Sequence, residues 1–250
     1  MKKSVFILLL LTILPIRVSA ESKELSSDTK YYKTINAIND ESSIYSINKE
    51  IKSYSIEISK EEYENYQNNS NSIISPLAVT NGYTETNYKK MTTSITKNGT
   101  TYRYKVILEW KTMPSTRSYD IIGIGFPSSV KPESSISFSQ NYCYSNGDCN
   151  TETVYTPYIG TYGVGASFSL PVGSLSSLKQ TLYVDMEKTN NSSTIIKQYA
   201  YGDYAHAIKT ISYTNSKKYT VESGGIILNS TIANYYDSIN TANATWTGSW

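Results

Sequence analysis

The chain has 250 residues, with 23 Lys and Arg against 21 Asp and Glu, and a formal net charge of +2. A charge so nearly balanced lacks the basic surplus of a nucleic-acid-binding surface, so we expect no nucleic-acid partner. The 24 Tyr residues and the low charged fraction of 18% favour an extracellular β protein, because Tyr suits a half-buried pleated sheet. Codon bias in an AT-rich genome explains the same Tyr excess equally well.

The first twenty residues have the parts of a secretory signal peptide. Lys2 and Lys3 precede an apolar run over residues 5–14, and small residues lead up to Ala20. The run is too short for a membrane-spanning helix, which needs about 20 apolar residues. We therefore predict a signal peptide over 1–20, cleavage near Ala20, export to the extracellular space and no stable membrane anchor. Cleavage removes three basic residues and no acidic ones, which leaves 20 basic against 21 acidic residues and a charge of −1.

Residues 21–76 are polar and offer little apolar surface to bury. Ser59 followed by Glu62 matches a capping box, which predicts a short helix over Lys60 to Gln67. The polar residues after it are typical of a linker. We predict that 21–76 is a partly ordered leader with a short helix, ahead of a separate β domain over 77–250.

The segment "YRYKVILEW" at residues 102–110 alternates apolar and polar side chains, which indicates a strand with one buried face. Asn98-Gly99 before it is a strong signal for a two-residue hairpin turn. Closing this turn pairs Lys97 with Thr100 and puts the more apolar residues of both strands on one face. The opposite face is expected to carry the basic residues Lys89, Lys90, Arg103 and Lys105.

The rest of the chain continues as short strands separated by turn residues. "YDIIGIGF" at 119–126 is mostly apolar and is expected to be a central strand, where Gly123 and Gly125 share a face and let another segment pack closely. No long helical period interrupts the later strands. The sequence therefore predicts a mainly β fold, an antiparallel β-sandwich with a barrel as the alternative, preceded by a short, partly helical N-terminal segment.

Two cysteines, Cys143 and Cys149, lie in the segment "CYSNGDC". In an exported chain, paired cysteines form disulfides. A three-residue loop over 145–147, with Gly147 in the left-handed conformation, places the two cysteines opposite each other at disulfide distance. There is no C-x-x-C motif, and a single His in the chain leaves no local Cys/His zinc set. We predict an intrachain disulfide across a hairpin tip.

The only histidine, His206, lies in "AYGDYAHA". On a strand Asp203 faces away from His206 while Tyr204 shares its face, so a structural His is favoured over a catalytic or metal-binding one. Arg117 and Asp120 flank the start of another strand, and Arg117 is interpreted as structural with ligand binding as the alternative. We predict no catalytic residue, no metal and no cofactor. The candidate ligand-binding residues are Arg117, Asp120, His206, Tyr204, Tyr158, Tyr162 and Trp246.

Four segments, "EISKEEYENY", "WKTMPSTRSYDIIGIG", "AYGDYAHA" and "YYDSINTANATWTGSW", resemble an uncharacterised family of secreted proteins from low-GC Gram-positive bacteria. The resemblance spans most of the mature chain. It implies export and one shared domain, and it implies no activity and no catalytic residue. The disulfide hairpin is not a feature associated with that family.

The favoured functional hypothesis is a secreted, non-enzymatic binding or surface-interaction protein, with a cell-surface glycan or protein as its partner. Exposed aromatic side chains would supply the binding surface. The first alternative is a membrane-active, pore-forming toxin that releases a hairpin such as 88–110, whose length suits a membrane strand pair. The second is an extracellular hydrolase, which the scarcity of general bases disfavours.

Overall fold

The computed structural model describes residues 22–38, 51–69, 83–133, 136–191 and 194–250. The predicted signal peptide and the predicted linker and boundary around residue 77 lie outside these ranges. The strands are β1 Lys23–Ile38, β2 Ile51–Ile58, β3 Tyr83–Asn98, β4 Thr101–Trp110, β5 Tyr119–Gly125, β6 Val130–Pro132, β7 Ser137–Tyr144, β8 Cys149–Glu152, β9 Thr156–Ile159, β10 Gly163–Ser169, β11 Leu175–Lys188, β12 Lys197–Ala205, β13 Tyr219–Glu222, β14 Gly225–Leu228 and β15 Asn240–Thr247. Within these ranges one α-helix, α1, spans Lys60–Asn69, and short 3₁₀ turns occupy Asn215–Lys217 and Ala233–Tyr235.

Two antiparallel sheets form the body of the protein. The larger has eight strands in the order β2-β1-β3-β4-β11-β7-β8, with β6 also paired to β11. The smaller has five strands in the order β15-β12-β5-β10-β9. Neither sheet closes into a barrel within the described residues, so the predicted mainly β, sandwich-like fold is confirmed over its barrel alternative.

A hydrophobic core lies between the two sheets. The larger sheet contributes the inward side chains of β4, whose residues alternate between buried and half-buried along its whole length, as the sequence predicts. The smaller sheet contributes apolar residues of β5, β10, β12 and β15. The fully buried members include Tyr104, Val106, Leu108, Ile122 and Phe168. The alternation of apolar and polar side chains with period two therefore gives the larger sheet one apolar face, and that face packs against the smaller sheet.

The segment before residue 77 contributes two strands to the larger sheet. β1 pairs along most of its length with β3, and β2 pairs with β1 at the sheet edge. The sequence predicts a leader over 21–76 because this segment holds few apolar side chains. Strand pairing through the backbone needs no such side chains, and Tyr32 is the main residue of β1 in the core. The predicted helix is confirmed as α1, where the Ser59 hydroxyl accepts a hydrogen bond from the Glu62 amide at 3.0 Å.

The register of the β3–β4 hairpin differs from the predicted one. Asn98 pairs with Thr101 and Lys97 with Tyr102, so the turn residues are Gly99 and Thr100. Gly99 has a φ of 62°, the conformation required at the first position of a Gly-X hairpin turn. The pairing shifts by two residues, which keeps the buried face unchanged because side chains alternate with period two.

β5 lies at the centre of the smaller sheet and is buried on both faces. Its outer face is covered by the β13–β14 hairpin, which packs in a second apolar cluster with Ile121 and Tyr236. A Cβ atom on Gly125 would lie 2.3 Å from the carbonyl oxygen of Glu222, and one on Gly123 would lie 2.9 Å from Ile226. The predicted close packing over these glycines is therefore confirmed, and it explains the apolar run "YDIIGIGF".

The predicted disulfide is confirmed. Cys143 on β7 pairs with Cys149 on β8, and their sulfur atoms are bonded. The Gly147 amide donates to the Tyr144 carbonyl, and Gly147 has a φ of 96°, as the three-residue loop requires. No helix among the described residues has the length and apolar character needed to cross a membrane.

Replacing both cysteines with Ser is expected to lower the free energy of unfolding by less than about 3 kcal/mol and to leave the fold intact. The reason is that a loop closed over six residues restricts the unfolded chain less than the 15-residue loop to which that value applies. Urea unfolding of the double variant measures the change. A variant that cannot fold would contradict the prediction.

Candidate functional site

Three of the sequence-predicted residues converge at one end of the core. Tyr204 pairs with Ile122 and Ala205 with Ile121, so the next step in the register brings His206 beside Asp120. His206 Nδ1 lies 3.0 Å from Asp120 Oδ2, and Tyr204 donates a short hydrogen bond to the same carboxylate. Cross-strand pairing between β5 and β12 thus brings Tyr204 and His206 to Asp120, from which they are 84 and 86 positions away in the chain.

The Asp120 carboxylate is fully buried and accepts from several donors. Besides Tyr204 and His206, the Ala207 amide donates to Oδ1 at 2.8 Å. Burial, followed by the charge of Asp120, raises the pKa of Tyr204 well above its usual value, so this phenol stays a donor. The His206 ring lies edge-on to Trp110 at 5.0 Å between centroids. Apolar rings therefore enclose the pair on the core side.

A second ionic pair adjoins the first and was not identified from the sequence. Lys89 Nζ lies 2.8 Å from Asp237 Oδ2, and Ser55 Oγ lies 3.1 Å from Nζ and 2.8 Å from the same Oδ2. The His206 amide donates to Asp237 Oδ1 at 3.0 Å, which joins the two halves. We call Ser55, Lys89, Asp120, His206 and Asp237 the buried ionic cluster.

Lys89 does not lie on the outer, basic face, where the sequence pattern predicts it. It pairs with Trp110 across β3 and β4, and its side chain points into the core with no exposed surface. The sequence does indicate this inward position: Lys89 lies two residues before Met91, a residue of the buried face, and residues two apart on a strand share a face. Asp237 and Ser55 had no comparable signal, since each belongs to a different part of the chain from Lys89.

Arg117 lies at the margin of the cluster and is half-buried. Burial lowers the pKa of its guanidinium, and the charge of Asp120 acts in the opposite direction. The other candidate residues lie elsewhere. The Tyr158 ring is 5.6 Å from that of Tyr219 on the outer side of the smaller sheet, Tyr162 is 39% exposed, and Trp246 packs 5.5 Å from Tyr102. The seven candidates thus do not form one site.

The buried ionic cluster is closed to a diffusing substrate. His206 is 2% exposed, and the side chains of Lys89, Asp120 and Asp237 have no exposed surface. Its groups come from both sheets and are paired with one another, so they link the two sheets at this end of the core. Among the described residues, no group of three or more His, Cys, Asp or Glu side chains is placed to hold a metal ion.

An accessible groove lies on the outer face of the larger sheet, beside the disulfide. It has a volume of about 460 Å³ and is lined by Glu109, Asn141, Thr151, Ser177, Lys179 and the two cysteines. Strand pairing aligns Glu109, Lys179, Asn141 and Thr151 in one row across β4, β11, β7 and β8. We call this surface the outer groove.

Acidic, basic and uncharged polar side chains lie next to one another along the outer groove. Glu109 lies 2.8 Å from Lys90 Nζ and 3.5 Å from Lys179 Nζ. Partial burial would raise the pKa of Glu109, but its hydrogen bonds and charge interactions with Lys90 and Lys179 lower it. Asn141 accepts a hydrogen bond from Thr151 at 2.7 Å. Every one of these side chains is at least partly open to solvent, in contrast to the buried ionic cluster.

Aromatic residues extend the row beyond Glu109. Burial, and then the charge of Glu109, raises the pKa of Tyr63 on α1 to about 12. The Tyr63 ring lies 4.9 Å from that of Tyr31, and Lys111 Nζ lies 4.1 Å from the Tyr63 centroid. Tyr31 pairs with Lys90 on the neighbouring strand. Helix α1 therefore places an aromatic ring next to the polar row.

Comparisons with known proteins identify no relative. No family model matches the sequence, and no curated protein matches it. Among solved structures, one described as "BspA_C_WT" covers 71% of this chain and 80% of its own, with 6% identity and a TM-score of 0.33. Another, titled "AvmM Catalyzes Macrocyclization in Alchivemycin A Biosynthesis", covers 60% and 82% respectively, with 10% identity and a TM-score of 0.28. Neither likeness bears on the function of this chain.

Proposed function

We propose that the protein is exported and acts by binding, without catalysis, through the outer groove. The ligand is a hydroxyl-rich molecule, a glycan of a cell surface. The observation that carries this proposal is the separation of the two polar regions. The groups suited to acid–base chemistry are buried and paired, whereas the outer groove presents donors and acceptors to solvent.

The chemistry of the outer groove favours sugar hydroxyls. A hydroxyl both donates and accepts, so it can bond to the Glu109 carboxylate, the Lys179 ammonium and the Asn141 amide in turn. The volume of about 460 Å³ lies within the range of small-ligand sites. The row runs across several strands, which suits an extended ligand, and the aromatic residue Tyr63 lies near its end.

Export is supported by the tripartite N-terminal segment, by the disulfide and by the resemblance to secreted proteins. Disulfides persist in oxidising compartments such as the extracellular space. The balanced charge of the mature chain gives no basic surplus for binding nucleic acid.

Two alternative functions have less support. The β3–β4 hairpin, which a pore-forming toxin would have to release, lies between β1 and β11, and its apolar residues are buried in the core. Release would break pairing on both sides of the hairpin. A hydrolase would need an accessible general base, and the single His of the chain is buried against Asp120.

A glycan array followed by titration calorimetry on the strongest glycan, with purified peptidoglycan as a second probe, tests the proposal. Lys179→Ala and Asn141→Ala are each expected to weaken binding about tenfold, or about 1.4 kcal/mol, because each removes a direct hydrogen bond. Lys131→Ala is the control, since Lys131 lies in β6 and forms an exposed ion pair with Glu187 away from the groove.

Binding that is unchanged in both groove variants would place the ligand elsewhere. Failure to bind any glycan or peptidoglycan, combined with dye leakage from phosphatidylcholine–phosphatidylglycerol liposomes, would favour the toxin alternative.

A further inference from the structure

Lys89 and Asp237 meet in an unusual environment for an ion pair. Their side chains have no exposed surface, and Nζ lies 2.8 Å from Oδ2. Nζ also lies 5.1 Å from the Trp110 ring centroid and 5.9 Å from that of Tyr204. The other Lys or Arg pairs with a carboxylate that the described residues show, such as Lys30–Glu57 and Lys131–Glu187, have partners that are at least partly open to solvent.

Burial of this pair as two full charges is unfavourable. Charges taken out of water are compensated only when further hydrogen bonds satisfy them. An ammonium has three N–H donors, and within the described residues Nζ of Lys89 has two oxygen neighbours, from Asp237 and Ser55. An amide between the two side chains would carry no charge and would need one acceptor for its single N–H.

We propose that Lys89 and Asp237 condense to form an intramolecular isopeptide bond. In the step, the ammonium and the carboxylate become –NH–CO– and one water. A proton passes from Nζ to Oδ2, the neutral amine attacks Cγ, and the Cγ–Oδ2 bond breaks as Oδ2 takes a second proton from nitrogen and leaves as water. No oxidant, reductant or other reactant is required.

Two neighbouring groups are placed to assist the step, one in the proton transfers and the other at the carboxyl oxygen that becomes negative. Ser55 Oγ contacts both Nζ and Oδ2, at 3.1 and 2.8 Å, so its hydroxyl can relay the proton and protonate the leaving oxygen. The His206 amide donates to Oδ1 at 3.0 Å, where negative charge develops when nitrogen attacks, and it can keep this bond to the amide oxygen of the product.

Asp120 is a positioning residue for the same step. It holds His206 through Nδ1 and the following amide through Ala207 N. These contacts fix the backbone segment from which the His206 amide points at Asp237. Because the folded chain holds amine and carboxyl together in a dry site, the reaction gains the advantage of an intramolecular process.

The bond would join residues 148 positions apart. It would tie β3 of the larger sheet to the segment that enters β15 of the smaller sheet, and the two segments would stay joined even in the unfolded chain. This cross-link is independent of ligand binding in the outer groove and goes beyond the proposed function.

Intact-mass measurement of the full exported chain, after reduction of its disulfide, tests the proposal. The expected mass is below that of the sequence from the measured N-terminus by one water. Proteolysis should release a branched peptide that joins Lys89 to Asp237. On a reducing denaturing gel the cross-linked chain should migrate faster than an uncross-linked one, because the closed loop makes the unfolded chain more compact.

Lys89→Arg is the matched control, since it keeps the positive charge while its guanidinium does not form the amide. This variant should have the full sequence mass and the slower migration. Ser55→Ala should show a fraction of chains that retain the water. A wild-type chain of full mass with no branched peptide would overturn the proposal, as would a water loss that persists in Lys89→Arg. If Lys89→Arg fails to fold, the wild-type mass and digest still decide.

Discussion

Replacing Asp120 with Ala is expected to lower the free energy of unfolding by about 3–5 kcal/mol. The carboxylate accepts hydrogen bonds from the Tyr204 hydroxyl, from His206 Nδ1 and from the Ala207 amide, all of which are buried. Ala would leave these donors without a partner in a site closed to water. Buried polar groups that lose their partner cost far more than an exposed hydrogen bond contributes.

Urea unfolding followed by far-UV circular dichroism measures the effect, with near-UV spectra to check that the variant is folded. Glu187→Ala is the control. Glu187 lies 3.1 Å from Lys131 on the protein surface, and such an exposed pair contributes about 1 kcal/mol or less. A double-mutant cycle with Tyr204→Phe should show coupling to Asp120, since the Phe variant removes one of the stranded donors. Equal unfolding midpoints for Asp120→Ala and the wild type would contradict the structural role assigned to this carboxylate.

Asp203→Asn is expected to stabilise the protein at pH 8 and to destabilise it by about 1 kcal/mol or slightly more at pH 4. Burial raises the pKa of Asp203 from 3.8 to about 7, against the opposing effect of a hydrogen bond from the Ile226 amide at 2.6 Å. The folded state therefore binds a proton more tightly than the unfolded state does. The resulting stability is fully present below about pH 4 and is lost as the pH rises through 7.

The size of this effect follows from the shift. A rise from 3.8 to about 7 corresponds to on the order of 4 kcal/mol, which the wild type lacks at pH 8. An Asn oxygen can still accept from Ile226, while its NH₂ group takes the place of Asp203 Oδ1, an atom without a partner within the described residues. An unpaired buried amide costs about 1 kcal/mol or more, so we expect a net gain of about 2–3 kcal/mol at pH 8.

Denaturant titrations at pH 4, 6 and 8 test this prediction through the difference between variant and wild type, in which the other carboxylates cancel. Glu222→Gln is the control, because Glu222 belongs to the β13–β14 hairpin that contacts Asp203 through Ile226 but is itself exposed. A variant that is less stable than the wild type at pH 8, or a difference that does not grow between pH 4 and pH 8, would show that Asp203 is not held protonated in the folded chain.

Local patterns were sufficient for the parts of the fold that depend on neighbouring residues. The alternation in "YRYKVILEW" predicts the buried face of β4, the run "YDIIGIGF" predicts a central strand, and the spacing of Cys143 and Cys149 predicts their hairpin and disulfide. Each of these features arises within a few residues, where side-chain period and turn chemistry act directly. The capping pair at the start of α1 belongs to the same class.

Features that join distant segments were decided by tertiary structure. The polar strands β1 and β2 were not predicted, because backbone hydrogen bonds to a neighbouring strand can hold a segment that has few apolar side chains. The β3–β4 register was misplaced by two residues, since either register leaves the same side chains on the buried face.

The sequence by itself determined an antiparallel β chain with one disulfide-bonded hairpin and a single histidine. It also supplied the residues of the buried ionic cluster, without indicating that they meet. Lys89 and Asp237 are 148 residues apart, and His206 and Asp120 are 86 apart. Only the packing of the two sheets brings these charges together in a site without solvent, where burial makes their pairing and their reactivity matter.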